Sequence, residues 1–544
     1  MANISQWITC EHILTKRIMI SFIRKFAFLF AMGAAAVFLA TPAVAAVTLP
    51  PVLSSHMVLQ QDIAAPIWGT ADPGEKITVA FLGRQKCATA DEQGKWMVKL
   101  DPLHAGGEPA TLIVTGKNAL TLTDVLVGEV WVGSGQSNID TNVSEYVKND
   151  QPLAEAAARS YPRLRLLHNN LADGWQETTP QTILRFSAQL LYFGMKLQQE
   201  LNVPVGLMEG AVAGSRAAPW ISQQDFNTDP DIQKRLAAAE ASDPYEKRLE
   251  QYNNATAKWQ QAVDAAKISG TTPLDKPPKA PAKPRHFAEQ LTGQNFEAHI
   301  RPMIPYGIRG VLWDQGESGT GITEIWPGTM MGALVRSWRA DWGQGDFPWL
   351  VVQKPSGMGC ALNPDDPINK GAAPISPLPK DSMGWAHPQR MDWVPIKDIK
   401  PGVFLISTSD LAVGMHPSNK SGYATRDCQI ALGAIYGKSV EFYGPLYHSF
   451  TVEGNKLRIA FTHAGKGLTY PKGQTLQGFS VAGEDKRFHW ASAAIDGRTI
   501  VLSCPDVPQP VAARYAWAAV DITWANLFNL DGLPALSFRT DTWK

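Results

Sequence analysis

The stretch Gly128-Glu-Val-Trp-Val-Gly-Ser-Gly-Gln-Ser-Asn-Ile-Asp140 decides the fold class of this 544-residue chain. An apolar run leads into glycines and then into a serine, which is typical of a buried strand followed by a helix. A continuous apolar strand of this kind suits a parallel sheet that is covered on both faces. Ser137 would lie at the carboxyl end of that strand, where open α/β sheets bind their ligands. The sequence therefore predicts an α/β fold with a serine at its functional edge.

Two roles for Ser137 are open on spacing alone. A serine at the mouth of a helix, with helix N–H groups directed toward it, suits a nucleophile. Ser137 followed three residues later by Asp140 also fits a capping box, in which the hydroxyl accepts a hydrogen bond from the first helical turn. The segment Gly135-Gln-Ser-Asn-Ile139 lacks the second glycine of the strained hydrolase elbow Gly-x-Ser-x-Gly, so that motif is excluded.

The patterning on either side of this α/β segment divides the chain into further parts. Period-two alternation with glycine turns over 46–124 predicts an N-terminal β-sandwich. Buried strands separated by helical stretches place the α/β domain at 125–436, and helical spacing followed by a proline-rich stretch predicts a helical insertion at about 229–290. Period-two strands return over 437–544 and predict a C-terminal β-rich domain.

The N-terminus has the pattern of an export signal. An apolar run over 26–40 follows Arg24-Lys25 and precedes the small-residue cleavage pattern Ala43-Val-Ala45. About fifteen apolar residues are too few for a membrane-spanning helix, which needs about twenty. We therefore expect a signal peptide over residues 1–45, a secreted or periplasmic mature protein with no membrane partner, and possible initiation at Met19.

Charge and cysteine content limit the function classes. The chain has 50 basic and 50 acidic residues, and this zero formal charge argues against nucleic acid as a partner. The mature chain keeps four cysteines whose three possible pairings the sequence cannot distinguish, and they are too scattered for a zinc site. No His/Asp/Cys cluster has ligand spacing, so we expect neither a metal nor another cofactor. The four are Cys87, Cys360, Cys428 and Cys504.

Several blocks of the chain carry a family resemblance. The Gly128–Asp140 stretch resembles the nucleophile block of the sialate O-acetylesterase family, a branch of the SGNH hydrolases that is related to acetylxylan and xyloglucan acetylesterases. Further blocks in the family's order are Ala213-Gly-Ser-Arg-Ala-Ala-Pro-Trp220, Met303-Ile-Pro-Tyr-Gly-Ile-Arg-Gly-Val-Leu-Trp-Asp-Gln-Gly-Glu-Ser318 and Met415-His-Pro-Ser-Asn-Lys420. The likeness covers nearly all of residues 47–544. It implies an SGNH-type three-layer sandwich with a parallel sheet.

The resemblance also implies roles for single residues. Ser137 would be the nucleophile and His416 the general base, because a serine is a poor nucleophile without one. The backbone N–H groups of Ser137 and Gly214 and the side-chain amide of Gln315 would form the oxyanion hole.

The chain departs from the family pattern where the third triad member is expected. Val413 and Gly414 stand where a carboxylate usually precedes the histidine. Asp410 is the nearest acid in sequence and is favoured as the orienting group, with Glu317 as the competitor. A Ser-His dyad is the remaining alternative.

Other departures bear on the substrate. Arg216, close to the oxyanion glycine, would meet an anionic substrate or pair with an acid. Asp314 replaces a common tyrosine, and Ile139 with Asp140 replaces the usual methionine, and we expect these changes to alter the rim of the pocket.

Together these observations predict an exported carbohydrate O-acetylesterase. Its substrate would be an acetylated glycan, either an O-acetylated sialic acid or an acetylated plant polysaccharide. The alternative is a non-catalytic carbohydrate-binding protein built on a degenerate hydrolase core.

Overall fold

A computed structural model describes residues 46–242, 244–271, 276–281, 292–322, 324–354, 357–380, 401–517 and 522–543. The predicted signal peptide lies outside these residues, as does much of the proline-rich stretch after residue 271. From Val47 to Lys544 the chain forms one compact unit, within which the predicted divisions at residues 124 and 436 fall. None of the helices in the described ranges is long and apolar enough to cross a membrane.

The N-terminal part consists mainly of short strands, and β3, β5 and β6 alternate buried side chains with more exposed ones. They are β1 (Val58–Gln60), β2 (Pro66–Thr70), β3 (Lys76–Phe81), β4 (Arg84–Thr89), β5 (Lys95–Lys99), β6 (Ala110–Thr115) and β7 (Ala119–Gly135). Strand β2 pairs with β5, while β3 pairs with β4 and β6, and all these pairs are antiparallel. The period-two pattern in the sequence thus corresponds to real strands.

Strand β7 runs through the predicted boundary at residue 124. Its first half pairs antiparallel with β6, and its second half pairs parallel with β1. Asp124 adopts a φ of 56°, an unusual value for a residue other than glycine, and this marks the point where the strand changes partners. From Val125 onward every residue of the strand is buried, as expected for a central parallel strand.

The central sheet is mostly parallel and has the order β13-β12-β11-β7-β10-β8-β9. Its remaining strands are β8 (Tyr161–Leu167), β9 (Gln176–Thr178), β10 (Val205–Ala211), β11 (Gly310–Asp314), β12 (Trp349–Val352) and β13 (Val403–Ile406). Only β9 runs antiparallel to its neighbour in this order. The carboxyl ends of β7, β10, β11, β12 and β13 therefore meet at one edge.

Helices connect these strands. They are α1 (Ser137–Asp140), α2 (Val143–Tyr146), α3 (Gln151–Ala157), α4 (Pro180–Ile183), α5 (Ala188–Leu201), α6 (Gln223–Thr228), α7 (Pro230–Ser242), α8 (Tyr245–Ser269), α9 (Pro327–Trp342) and α10 (Lys420–Ile430), with π-helical turns at Phe296–Ile300 and Ala431–Ile435 and 3₁₀ turns at Leu171–Asp173, Ala218–Trp220, Arg301–Met303 and Pro367–Asn369. Helices α7 and α8 lie in the segment where helical spacing predicts an insertion.

The two faces of the sheet are covered by different helices. Helix α5 contacts β8, β10 and α10. On the opposite face Trp338 of α9 packs edge-on against Trp313 of β11, with ring centroids 6.1 Å apart. Trp220 and Trp349 extend this aromatic cluster, and all four indoles are buried. Large rings on short strands thus fix the spacing between sheet and helix.

The C-terminal part returns to antiparallel strands. They are β14 (Leu446–Glu453), β15 (Lys456–Thr462), β16 (Leu468–Thr469), β17 (Phe479–Ala482), β18 (Phe488–Trp490), β19 (Ser492–Asp496), β20 (Thr499–Ser503), β21 (Ala512–Tyr515), β22 (Phe528–Asn529) and β23 (Phe538–Arg539). They form two four-stranded sheets, β14-β15-β20-β19 and β18-β17-β21-β23, and the pair β16-β22. The four cysteines in the described ranges are all unpaired.

Candidate active site

Ser137 is placed by the end of β7 and the start of α1. Gly135 has a φ of 134°, and a Cβ there would lie 2.2 Å from the backbone oxygen of Asp314, so only glycine fits. The next backbone N–H, on Gln136, donates to that same oxygen at 2.9 Å. The Gly-Gln-Ser sequence therefore docks the strand end against β11 and turns the chain so that Ser137 opens the helix.

Ser137 and His416 form a hydrogen-bonded pair. The Oγ of Ser137 lies 2.7 Å from Nε2 of His416, although the two residues are 279 positions apart. Ser137 is half-buried and His416 is exposed, so the pair is open to solvent. The cap position of α1 is occupied by Gln136, with no side-chain cap bond. The capping interpretation of Ser137 is therefore wrong, and the serine and histidine are arranged as a nucleophile and its base would be.

The backbone around Gly214 forms a turn beside this pair. Gly214 has a φ of 70°, which favours glycine, and it is exposed. The preceding N–H, on Ala213, donates to Oδ2 of Asp140 at 2.9 Å and so ties the turn to α1. Burial raises the pKa of Asp140, and its bond to Ala213 only partly offsets this. Neither the N–H of Ser137 nor that of Gly214 donates to a described residue, so both are available to a ligand.

Gln315 does not have the arrangement that the sequence predicts. Its side chain is buried, and its Nε2 donates to the backbone oxygens of Gly319 at 2.9 Å and Ser215 at 3.3 Å. An amide nitrogen has two hydrogens, and both are used here. In this structure the Gln315 amide therefore stabilises the turn after β11 and has no free N–H to donate to an oxyanion.

Asp410 is not the partner of His416. Its carboxylate is 1% exposed, and its Oδ2 accepts bonds from Arg426 at 2.8 Å and from Asn369 at 2.6 Å. The Nδ1 of His416 makes no hydrogen bond to a described residue. The expectation that Asp410 orients the histidine is therefore wrong in this structure, because a buried arginine of α10 holds the carboxylate elsewhere.

Glu317 lies near the Ser137–His416 pair and is linked through Asn138 to the residue before His416. Its Oε1 accepts a bond from Nδ2 of Asn138 at 2.9 Å and an ion pair from Lys354 at 2.6 Å. Burial alone would raise the pKa of Glu317, but the ammonium of Lys354 outweighs it and holds the pKa below its usual value. Asn138 also donates to the backbone oxygen of Met415 at 3.1 Å. Glu317 is thus connected to the residue before His416 and not to the imidazole ring.

Three charged or polar side chains below Ser137 were not found by sequence reasoning. Asn138 and Lys420 are bonded to each other at 2.7 Å, and Lys354 pairs with Asp314 at 2.5 Å. Asp314 is wholly buried, so the expectation that it lines the pocket rim is wrong. The sequence contains an indication for two of them, because Asn138 and Lys420 lie inside the same motifs as Ser137 and His416. Lys354 follows a buried strand, which is a weaker indication.

Arg216 is exposed beside the Gly214 turn. It forms no ion pair with an acid in the described part of the chain. Of its two predicted roles, pairing with an internal acid is thus not observed.

A cluster of possible metal ligands lies elsewhere. His56, Asp124 and Glu177 each contribute one ring nitrogen or carboxylate oxygen, and these three atoms lie within 4.8 Å of one another. Arg165 already donates to Oδ2 of Asp124 at 2.7 Å, and Nδ1 of His56 lies 2.6 Å from the same oxygen. A guanidinium on the shared carboxylate opposes a second cation there, so we interpret the trio as an ion-pair network. The expectation that the reaction needs no metal stays a prediction.

Comparison with known proteins places this geometry in context. No family model matches the chain. The chain is 24% identical over 535 residues to sialate O-acetylesterase of Mus musculus, covering 87% of this chain and 89% of that protein. It is 24% identical over 524 residues to the Homo sapiens enzyme of the same name, with 87% of each chain covered.

A solved structure resembles the whole fold. The crystal structure of a carbohydrate acetylesterase from Xanthomonas citri shares 27% sequence identity with this chain and superimposes with a TM-score of 0.68. The similarity covers 92% of this chain and 100% of that one. The relatives in sequence and in structure are thus named as esterases, and each of them matches most of this chain.

Proposed function

We propose, from the premise that the chain belongs to a sialate O-acetylesterase-like family of carboxylic ester hydrolases, that it removes O-acetyl groups from carbohydrates. The observation that carries the proposal is the 2.7 Å bond between Ser137 Oγ and His416 Nε2. A hydroxyl bonded to an imidazole beside unoccupied backbone donors is the arrangement that acyl transfer requires.

The reaction proceeds through an acyl-enzyme. The Oγ of Ser137 attacks the acetyl carbonyl carbon while Nε2 of His416 takes the hydroxyl proton. The carbonyl oxygen becomes negative and accepts bonds from the N–H groups of Ser137 and Gly214. Collapse of this intermediate breaks the ester bond, and the protonated His416 gives its proton to the departing sugar oxygen. Water, deprotonated by His416, then releases acetate and regenerates Ser137.

The proposal describes a Ser-His dyad. Asp410 is paired with Arg426, and Glu317 contacts Asn138 and Lys354, so neither carboxylate accepts a bond from His416. The ring would be held by its bond to Ser137 and by the placement of its loop. Removing an orienting carboxylate costs about 10⁴ in rate only where the histidine depends on one.

The substrate would be an acetylated sialic acid or an acetylated plant polysaccharide. Among the described residues no acid pairs with Arg216, and an exposed guanidinium beside the Gly214 turn favours a sugar that carries a carboxylate. We expect Arg216→Gln to raise KM about tenfold for an O-acetylated sialic acid and to leave KM for acetylated xylan unchanged. Equal effects on both substrates would remove the support for an acidic sugar.

We also propose that the protein is exported, because residues 1–45 have the pattern of a signal peptide.

The decisive experiment measures acetate release from acetylated xylan, O-acetylated sialic acid and p-nitrophenyl acetate. Ser137→Ala and His416→Ala should each lower kcat by at least about 10³-fold, because both remove a group that touches the reacting atoms. Ser144→Ala and His448→Ala change exposed residues of the same types and should retain full activity. Half of the wild-type rate in either site variant would refute the assignment.

A further inference from the structure

Lys420 occupies an unusual position for a lysine. It is the first residue of α10, its side chain is wholly buried, and its Nζ donates to Oδ1 of Asn138 at 2.7 Å. The ammonium also lies over the rings of Tyr146 and Tyr423, 5.1 and 4.9 Å from their centroids. Burial of an ammonium is costly unless it is well paired, so a lysine in this place calls for a functional reason.

The bond from Lys420 fixes which way the Asn138 amide points. The ammonium of Lys420 can only donate, so it must face the oxygen of the Asn138 amide. The carboxylate of Glu317 and the carbonyl of Met415 accept hydrogen bonds, so both must face the amide nitrogen. With the amide turned over, a donor would face the ammonium and an oxygen would face two acceptors. One orientation alone therefore satisfies all three partners.

These contacts connect the two reacting residues. Asn138 is the neighbour of Ser137, and Met415 is the neighbour of His416, so the bond of 3.1 Å between them joins the start of α1 to the histidine loop. We propose that Lys420 and Asn138 are positioning residues that hold the loop of His416 against Ser137, an inference that rests on the proposed function. Both side chains are buried, so they would act through the backbone on either side of the pair.

Several charged groups face Lys420 and set its protonation. The carboxylates of Asp314, Glu317 and Asp427 favour the ammonium, whereas burial and the ammonium of Lys354 disfavour it. Burial dominates and lowers the pKa of Lys420 to about 8. A neutral amine is a weaker donor than an ammonium. The hold on Asn138 therefore loosens, and kcat falls, as pH rises through this value.

The test compares Lys420→Met with Lys420→Gln. The two side chains are similar in size and fill the same space, but only glutamine can donate to Asn138. We expect Lys420→Met to lower kcat by about 20-fold at pH 7 with KM unchanged, and Lys420→Gln, one atom shorter than lysine, to recover most of that loss. Neither variant should show the wild-type fall in kcat above pH about 8.

Several outcomes would overturn the inference. They are a kcat within twofold of wild type in Lys420→Met, an equal loss in the methionine and glutamine variants, or an unchanged alkaline limb. If Lys420→Met does not fold by circular dichroism, Asn138→Asp decides, because it keeps the shape and the contact with Lys420 but removes the donors to Glu317 and Met415. A loss of kcat with KM preserved supports the inference, and full activity refutes it. Ser137→Ala, measured in parallel, tests the proposed function separately.

Discussion

Two carboxylates lie near the histidine loop, the buried Asp410 and the partly buried Glu317, and their hydrogen-bond partners differ. Asp410 precedes His416 by six positions, but its Oδ2 accepts bonds from Arg426 and Asn369. Glu317 comes from a distant part of the sequence, and its Oε1 accepts bonds from Asn138 and Lys354. The first network fastens the end of β13 to α10, whereas the second continues through Asn138 to the loop of His416.

The role of each carboxylate depends on what its hydrogen-bond donors contact in turn. Asp410 is buried and Glu317 is partly buried, but both are paired with a cation, so charge pairing does not separate them. Only Glu317 shares a hydrogen-bond donor with the backbone beside His416. We therefore expect changes at both sites to affect stability but changes at only one to affect the reaction.

The largest effect should come from removal of the cations. Lys354→Met leaves the buried Asp314 and the partly buried Glu317 without their common partner, and Arg426→Met leaves the buried Asp410 without its guanidinium. Each change should lower the free energy of unfolding by about 3 kcal/mol or more, since a buried charge loses its partner. Urea denaturation at pH 7 measures this. Per folded molecule, Arg426→Met should keep the wild-type kcat and Lys354→Met should not; equal kcat values in both would erase the distinction.

Removal of the carboxylates themselves should separate the two networks further. Glu317→Met takes away one of the two acceptors of the Asn138 amide with little change in volume. We expect kcat to fall about 100-fold, some 2.7 kcal/mol of barrier. Asp410→Leu is the matched change at the other site and should leave kcat within about threefold of wild type. Initial rates of acetate release, corrected for the folded fraction, give both values. A larger loss in Asp410→Leu would reverse our assignment of the two roles.

The smallest predicted effect is on the free energy of unfolding at acidic pH. The pKa of Glu317 is lower in the folded chain than its usual value of 4.5, because Lys354 outweighs burial. Its contribution to stability is therefore complete above pH about 4.5 and is lost as pH falls through the folded value. Unfolding free energies at pH 5.5 and 3.5 should differ less in Glu317→Met than in wild type. An unchanged difference would show that Glu317 is not held as an ion in the folded protein.

The sequence motifs predict that Ser137 and His416 lie together, but they do not predict the charged residues around them. Ser137 and His416 stand in motifs with a recognisable order, and the apolar run before Ser137 predicts its strand and helix correctly. The prediction that Asp410 orients His416 is wrong because residues that are close in sequence need not be close in space. Whether Asp410 or Glu317 faces the loop depends on the order of the parallel strands, and the sequence does not contain that order explicitly.

The buried lysines were missed for a related reason. Lys354 and Lys420 become neighbours of Glu317 and Asn138 only because β7, β11 and β12 end at the same edge. An isolated lysine has no periodicity or spacing that reveals its partners. Gln315 was misjudged because the motif fixes its residue type but not which oxygens its amide meets.

Covalent labelling tests directly whether Ser137 is an activated nucleophile. A fluorophosphonate probe forms a covalent bond only with an activated hydroxyl, and peptide mass spectrometry locates the adduct. We predict one adduct per chain, on Ser137, no adduct in Ser137→Ala, and labelling slowed by at least about 100-fold in His416→Ala. An adduct on another residue, or labelling of Ser137→Ala at the wild-type rate, would contradict the assignment of Ser137 and His416 as the reacting pair.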